Sequence, residues 1–126
     1  MLCANERFAV SFHLSGGQCH DAPEGRKLLE STGPVNTPIS LLMDRAYEGE
    51  NTRYTALDLG YSLCVPPKLN RKDTWGYDKQ LYKRRNEVER LFRRLKSFRR
   101  IFTRYDKLDC VFMTFICFAL VFDSLR

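Results

Sequence analysis

The chain has 126 residues, of which 44% are hydrophobic and 29% are charged, and its formal net charge is +6. This balance of apolar and charged residues excludes a disordered tail and a membrane protein, since both classes depart strongly from it. The length suits one small domain, so we expect a single folded domain over residues 1–126 and no membrane partner.

The first part of the chain predicts a strand followed by a helix. Residues 8–15 are rich in aromatic and branched side chains and end at a Gly-Gly pair, which is typical of a strand closing in a turn. Residues 22–31 read as a helix. Asp21 is the expected N-cap, and Glu24, three residues later, completes a capping-box pattern.

The middle of the chain continues the alternation. The apolar run 39–43 has the length of a fully buried strand, 50–59 is a predicted helix stopped by Gly60, and 61–65 is a third strand stopped by two prolines. Residues 68–77 are polar and predict a loop. A long helix is predicted from 78 to 102 and a second from 107 to 125. The alternation of strands and helices favours an α/β domain.

The last helix contains the most apolar run of the chain, residues 110–122. Because this run is shorter than the ~20 residues that span a bilayer, it predicts a buried core helix. The five cysteines form no CxxC pair, so we interpret them as reduced, buried thiols of a cytoplasmic protein: Cys3, Cys19, Cys64, Cys110 and Cys117.

Positive charge is concentrated between residues 82 and 107, which hold eleven Lys or Arg against three acids. Such a segment is the usual electrostatic footprint of a nucleic-acid partner. A solvated helix face carries similar charge and remains the alternative.

Four polar residues of this segment have regular spacing: Tyr82, Arg85, Glu89 and Lys96. On one continuous helix, at about 100° per residue, they fall within roughly a 60° arc. A neighbouring apolar arc would dock the helix on a sheet, and it contains Leu81, Val88, Leu91, Phe92, Leu95 and Phe98. The alternative for Glu89 is a surface ion pair with Arg85 or Arg93.

Asp44 follows the predicted strand 39–43, at the end where open α/β sheets place functional groups. An Asp at this position can instead cap a turn. Together, Asp44 and Glu89 would offer the hard oxygen ligands that Mg²⁺ prefers. Two such ions can activate the attacking oxygen and stabilise the leaving one in phosphodiester chemistry.

Two weaker candidates lie elsewhere. A metal cluster is conceivable among His13, Cys19, His20 and Asp21, although a turn-stabilising pair of His20 and Asp21 is the plainer interpretation. In the loop, Trp75 and Tyr77 either stack on nucleic-acid bases or form a hydrophobic lid on the long helix.

The spacing Tyr-x2-Arg-x3-Glu-x6-Lys is similar to the signature of a large group of bacterial insertion-sequence transposases. Other segments resemble the same proteins over nearly the whole chain: LSGGQCHDAPEGRKLL, LLMDRAYE, VPPKLNR, RNEVERLF and FRRIFTRYDKLD. The resemblance implies a DDE transposase with an RNase H-like domain, in which three carboxylates bind two Mg²⁺ or Mn²⁺ ions. Asp44 matches the second carboxylate and Glu89 the third.

The resemblance also implies contacts with DNA. Tyr82, Arg85 and Lys96 match positions that contact the transposon end, and Arg93 is a further DNA-binding candidate. The implied reaction frees 3′-hydroxyls at the ends of the element, and these attack target DNA. The implied partners are therefore transposon-end and target DNA.

The first of the three acids belongs to a strand that precedes this segment in the family. Residues 1–7 contain no Asp, so we expect an N-terminally truncated domain that lacks the first strand and the first catalytic Asp. Its activity would then require a complementing N-terminal half, and a homodimer is a further expectation. Whether these residues act as an enzyme stays open. The alternatives are a non-catalytic remnant that binds transposon-end DNA and a translated remnant without function.

Overall fold

The computed structural model describes residues 1–126, and its strands and helices alternate along the chain. Four strands span Leu2–Cys3 (β1), Ala9–Ser11 (β2), Ile39–Leu42 (β3) and Tyr61–Cys64 (β4). Six α-helices span Asp21–Thr32 (α1), Glu50–Asp58 (α2), Lys79–Tyr82 (α3), Asn86–Ser97 (α4), Arg99–Thr103 (α5) and Asp109–Ser124 (α6). Two single-turn 3-10 segments lie at Arg45–Tyr47 and Lys83–Arg85. This mixed content fits the predicted α/β class.

The long helix predicted over residues 78–102 is wrong as one continuous element. The 3-10 turn Lys83–Arg85 separates α3 from α4, and the backbone of Phe98 is extended between α4 and α5. The side chain of Phe98 packs on the buried core formed by Leu91, Leu95 and Ala119, so a tertiary contact accompanies the second break.

The chain forms two compact units, and the first contains residues 1–14 and 86–126. In this unit β1 and β2 pair as short antiparallel strands. Helix α4 places Leu91 and Leu95 against Ala119 of α6, with partly buried contacts from Met1, Cys3, Ala9, Phe98, Ile101 and Leu120. Leu91 and Leu95 are buried as the apolar stripe predicts, but their buried partner is Ala119 of helix α6 and not a sheet, and Phe92 is exposed.

Helix α6 is not the fully buried core helix that its composition predicts. It buries one face, with Phe112, Ile116, Ala119 and Asp123. Its other faces leave large apolar side chains exposed: Val111, Met113, Phe118, Val121 and Phe122. A helix packed on its neighbours along one stripe can cover only that stripe, whatever its composition. No helix in the structure has the length and apolar character needed to cross a membrane.

The second unit contains residues 15–85. Its strands β3 and β4 are parallel, in register from Ile39 opposite Tyr61 to Leu42 opposite Cys64. Parallel neighbours need a crossover connection, and α2 provides it between the two strands. The strand β3 is less buried than expected, because Ile39 is exposed and only Leu41 is fully buried.

Two further expectations are corrected by side-chain positions. Asp21 is the first residue of α1 and not its N-cap; His20 holds that position and makes no side-chain cap, so the capping box does not form. All five cysteines are free, but Cys19, Cys110 and Cys117 are exposed. Cys64 in β4 is buried, whereas Cys110 and Cys117 lie outside the buried face of α6, because an apolar run does not determine which helix face is covered.

Gly25 in α1 permits a close approach by Tyr47, the last residue of the 3-10 turn that follows Asp44. A Cβ at residue 25 would lie 2.6 Å from Cε1 of the Tyr47 ring. Gly25→Ala is therefore expected to lower the free energy of unfolding by about 1–2 kcal/mol, because overpacking outweighs the usual helical gain of alanine. Urea unfolding measures the change. Gly17→Ala, with no atom within 4 Å, is the control and should be neutral or slightly stabilising. Equal effects at the two glycines would contradict the steric argument.

Candidate functional site

Asp44 lies two residues beyond Leu42, the last residue of β3, in an extended conformation before the turn Arg45–Tyr47. Its backbone carbonyl accepts a hydrogen bond from the Tyr47 amide at 2.9 Å, but its carboxylate caps no backbone amide. The interpretation of Asp44 as a turn cap is therefore wrong. The side chain is 54% exposed, so the carboxylate is open to solvent at the carboxyl end of a parallel strand.

Arg85 is the charged neighbour of Asp44, with 3.5 Å between its Nη1 and the carboxylate Oδ2. It ends the 3-10 turn that follows Tyr82. Side chains at i and i+3 eclipse each other in this geometry. Accordingly, the guanidinium lies over the Tyr82 ring, 5.8 Å from its centroid. Asp44, Tyr82 and Arg85, here called the Asp44 cluster, thus come together within one unit.

The pKa of the Tyr82 phenol in the Asp44 cluster lies above its ordinary value, mainly because the ring is partly buried. Burial raises the pKa of Tyr82, and the charge of Asp44 raises it further, while the positive charges of Arg85 and Arg45 oppose the rise. A phenol with a raised pKa keeps its proton at neutral pH and remains a hydrogen-bond donor. The cluster therefore presents one neutral donor and one cation beside a carboxylate.

The loop between β4 and α3 is anchored by Trp75. The indole Nε1 donates a hydrogen bond to the carbonyl of Val65 at 2.8 Å. The guanidinium of Arg53 covers the ring at 3.9 Å from its centroid. Of the two interpretations for Trp75, these contacts favour a lid, but it packs on Arg53 of α2 and not on the predicted long helix.

A buried acid that the sequence analysis missed fixes the same loop. Glu48 is 5% exposed, and its carboxylate accepts from Arg71 Nη1 at 3.0 Å, with Lys68 Nζ at 3.6 Å. Arg71 also pairs with the exposed Glu50 at 3.3 Å. In the sequence, only the loop cations Lys68 and Arg71 hint at an acidic partner, and no spacing rule connects them to Glu48.

The other half of the signature lies on α4, in the first unit. Glu89, Arg93 and Lys96 are exposed. They point away from Leu91 and Leu95, since about 200° of helical rotation separates Glu89 from Leu91. Because the 3-10 turn Lys83–Arg85 interrupts the helix, the single 60° arc predicted for Tyr82 to Lys96 does not form on one continuous helix.

The basic segment is partly neutralised by acids of the first unit. Arg94 Nε lies 2.9 Å from the buried carboxylate of Asp123, and its Nη2 donates to the carbonyl of Glu6. Other ion pairs join Arg90 to Glu6, Arg100 to Asp106 and Arg104 to Asp109. Several cations of this segment therefore have structural roles, and its net charge overstates the charge available to a partner.

The donors at Asp44 suit a hard cation. Mg²⁺ in phosphoryl-transfer sites is commonly held by one or two carboxylates together with substrate phosphates. Asp44 offers solvent-open, uncapped oxygens of this kind. No group of three or more His, Cys, Asp or Glu side chains in the described chain could hold a metal ion. The weaker cluster considered for His13, Cys19, His20 and Asp21 is therefore not formed.

Comparisons with known proteins agree over most of the chain. The family model described as "Transposase DDE domain" matches residues 1–122. A Brucella ovis protein, whose name assigns it as a transposase for insertion sequence element IS6501, is 31% identical over 111 residues, covering 87% of this chain and 83% of the relative. No solved structure matches the chain. The family match includes all six candidate residues.

Proposed function

Because the chain belongs to the DDE transposases of bacterial insertion sequences, we propose that it forms part of the enzyme that cuts DNA at the ends of its element and joins these ends to target DNA. The observation that carries the proposal is the Asp44 cluster. It holds an uncapped carboxylate at the end of β3, 3.5 Å from an arginine that can hold a phosphate. On this proposal the protein acts on DNA in the bacterial cytoplasm.

Asp44 and Glu89 are the proposed metal ligands, because each offers exposed carboxylate oxygens. Two bound Mg²⁺ or Mn²⁺ ions would supply activation of the attacking oxygen and stabilisation of the leaving oxygen. In the proposed RNase H-like arrangement, a third carboxylate comes from a strand outside residues 1–126, either fused to this chain or on a complementing one. A pair of such chains would hold two transposon ends.

The remaining signature residues hold DNA in this proposal. Arg85 and the Tyr82 phenol offer a cation and a neutral donor to a phosphate beside Asp44. Arg93 and Lys96 are exposed on α4 and are the other proposed phosphate contacts. Such contacts position the DNA without reading its sequence.

The test is nicking of a duplex that carries the end of the element, in Mg²⁺ or Mn²⁺. We expect no nicking by these 126 residues alone and nicking once a chain with the upstream strand is added. Asp44→Asn and Glu89→Gln should each reduce that activity by about 10³-fold, since a metal ligand contributes several kcal/mol to the transition state. Normal nicking by either variant would contradict the assignment of that residue. Nicking by the chain alone would contradict the need for a complementing half.

The second candidate function is DNA binding without cleavage. The exposed cations on α4, Arg93 and Lys96, favour it because they need no metal to bind phosphates. Binding that persists while no added segment restores nicking would identify a DNA-binding remnant.

A further inference from the structure

We propose that Tyr77 is a positioning residue that holds the Tyr82 ring, and through it Arg85, at Asp44. This inference rests on the proposed function of the Asp44 cluster in binding DNA, and it adds a residue outside the signature.

The first support is a ring contact within the second unit. The centroids of Tyr77 and Tyr82 are 5.5 Å apart, and the ring planes are inclined at 76°. This edge-to-face arrangement is the favoured geometry for an aromatic pair. Tyr77 is partly buried, although it lies in a loop whose residues 72–74 are exposed.

The second support is that Tyr77 sits between two fixed points of the chain. Two residues before it, Trp75 is held by its hydrogen bond to Val65 and by Arg53. Immediately after it, Asp78 caps α3, where its Oδ1 accepts from the amides of Gln80 and Leu81 at 2.9 and 3.0 Å. With both flanks anchored, the backbone of Tyr77 has little freedom to carry its ring away from Tyr82.

The third support is the order of contacts beyond Tyr82. The edge contact with Tyr77 leaves the Tyr82 ring with Arg85 over it at 5.8 Å, and Arg85 reaches Asp44 at 3.5 Å. A ring held on one side by Tyr77 offers a defined platform for the Arg85 guanidinium. Without Tyr77 the ring can leave this rotamer, and phosphate binding must then order both side chains.

Two readouts test the inference, and the first does not depend on DNA. The ring resonances of Tyr82 are assigned by NMR in the unaltered chain, in Tyr77→Ala and in Tyr77→Phe. We expect Tyr77→Ala to move them towards those of a free tyrosine, while Tyr77→Phe, which keeps the ring, leaves them almost unchanged. Unmoved resonances in Tyr77→Ala would overturn the proposal.

The second readout is affinity for a mixed-sequence DNA duplex without metal. Tyr77→Ala should weaken binding about fivefold, a factor within the range of an aromatic pair, and Tyr77→Phe should restore it. In a double-mutant cycle, Tyr77→Ala should add nothing to Tyr82→Ala. Additive losses would overturn positioning through Tyr82. If Tyr82→Ala alone leaves affinity unchanged, the DNA role of the ring fails, while the resonances still decide whether Tyr77 holds it.

Discussion

Arg85→Ala is expected to weaken binding to a mixed-sequence DNA duplex about tenfold in the absence of metal. The variant loses a charge-assisted contact to a phosphate, and it also leaves the Asp44 carboxylate uncompensated beside the DNA, because Arg85 lies 3.5 Å from it. The slope of log affinity against log salt should fall by about one, as for any lost phosphate contact. Fluorescence anisotropy at several salt concentrations measures both quantities.

Three further variants test the same DNA-binding role. Asp44→Asn should tighten metal-free binding about threefold, since it removes a negative charge near the phosphates and releases Arg85. Lys96→Ala should lower the salt slope by about one, as Lys96 is exposed on α4. Lys27→Ala is the control, because Lys27 pairs with Glu24 on α1 and has no proposed DNA contact. Equal affinity for Arg85→Ala and Lys27→Ala would contradict a DNA-binding role for the Asp44 cluster.

Glu48→Ala is expected to lower the free energy of unfolding by about 2–3 kcal/mol. Glu48 is 5% exposed and accepts from Arg71 at 3.0 Å, so the variant leaves a partly buried guanidinium without this partner. Arg71 belongs to the loop that carries Trp75 and Tyr77. Loss of the Glu48–Arg71 pair should therefore also loosen this loop and the contact of Tyr77 with Tyr82. The shift in the midpoint of urea unfolding measures the change in the free energy of unfolding, provided that its dependence on urea concentration is unchanged.

Glu50 offers a matched control for Glu48, because both carboxylates bind the same guanidinium. Its side chain is 67% exposed and lies 3.3 Å from Arg71 Nη2. Glu50→Ala should therefore change stability by less than about 0.5 kcal/mol, as is usual for a solvent-exposed ion pair. A similar loss at Glu48 and Glu50 would show that burial of Glu48 does not govern the effect.

Local pattern was sufficient for much of the fold. Residues 50–59 and 107–125 carried enough helical signal to predict α2 and α6, and short apolar runs bounded by Gly or Pro predicted β3 and β4. The amphipathic period of α4 predicted that Leu91 and Leu95 face a core, and both are buried. These features depend on neighbours within a few residues, which is the range that sequence periodicity reports.

Other features depend on contacts between distant residues. Local spacing gave no reason to break the long helix at Lys83–Arg85, where Arg85 meets Asp44 across the fold of the second unit. Composition made α6 apolar all round, but only the neighbouring helices decide which side is covered. The buried Glu48 likewise has its ion-pair partners, Lys68 and Arg71, far along the chain.

By itself, the sequence determined the family, the alternation of elements and the identities of Asp44, Glu89, Tyr82, Arg85, Arg93 and Lys96 as candidates, because these follow from spacing along the chain. The tertiary structure alone decided that the Asp44 side chain caps no amide, that Arg85 pairs with it and lies over Tyr82, and that the ring of Tyr77 contacts that of Tyr82. The reason is physical. Which side chains share a turn depends on local geometry, whereas which carboxylate meets which cation depends on how strands, loops and helices pack.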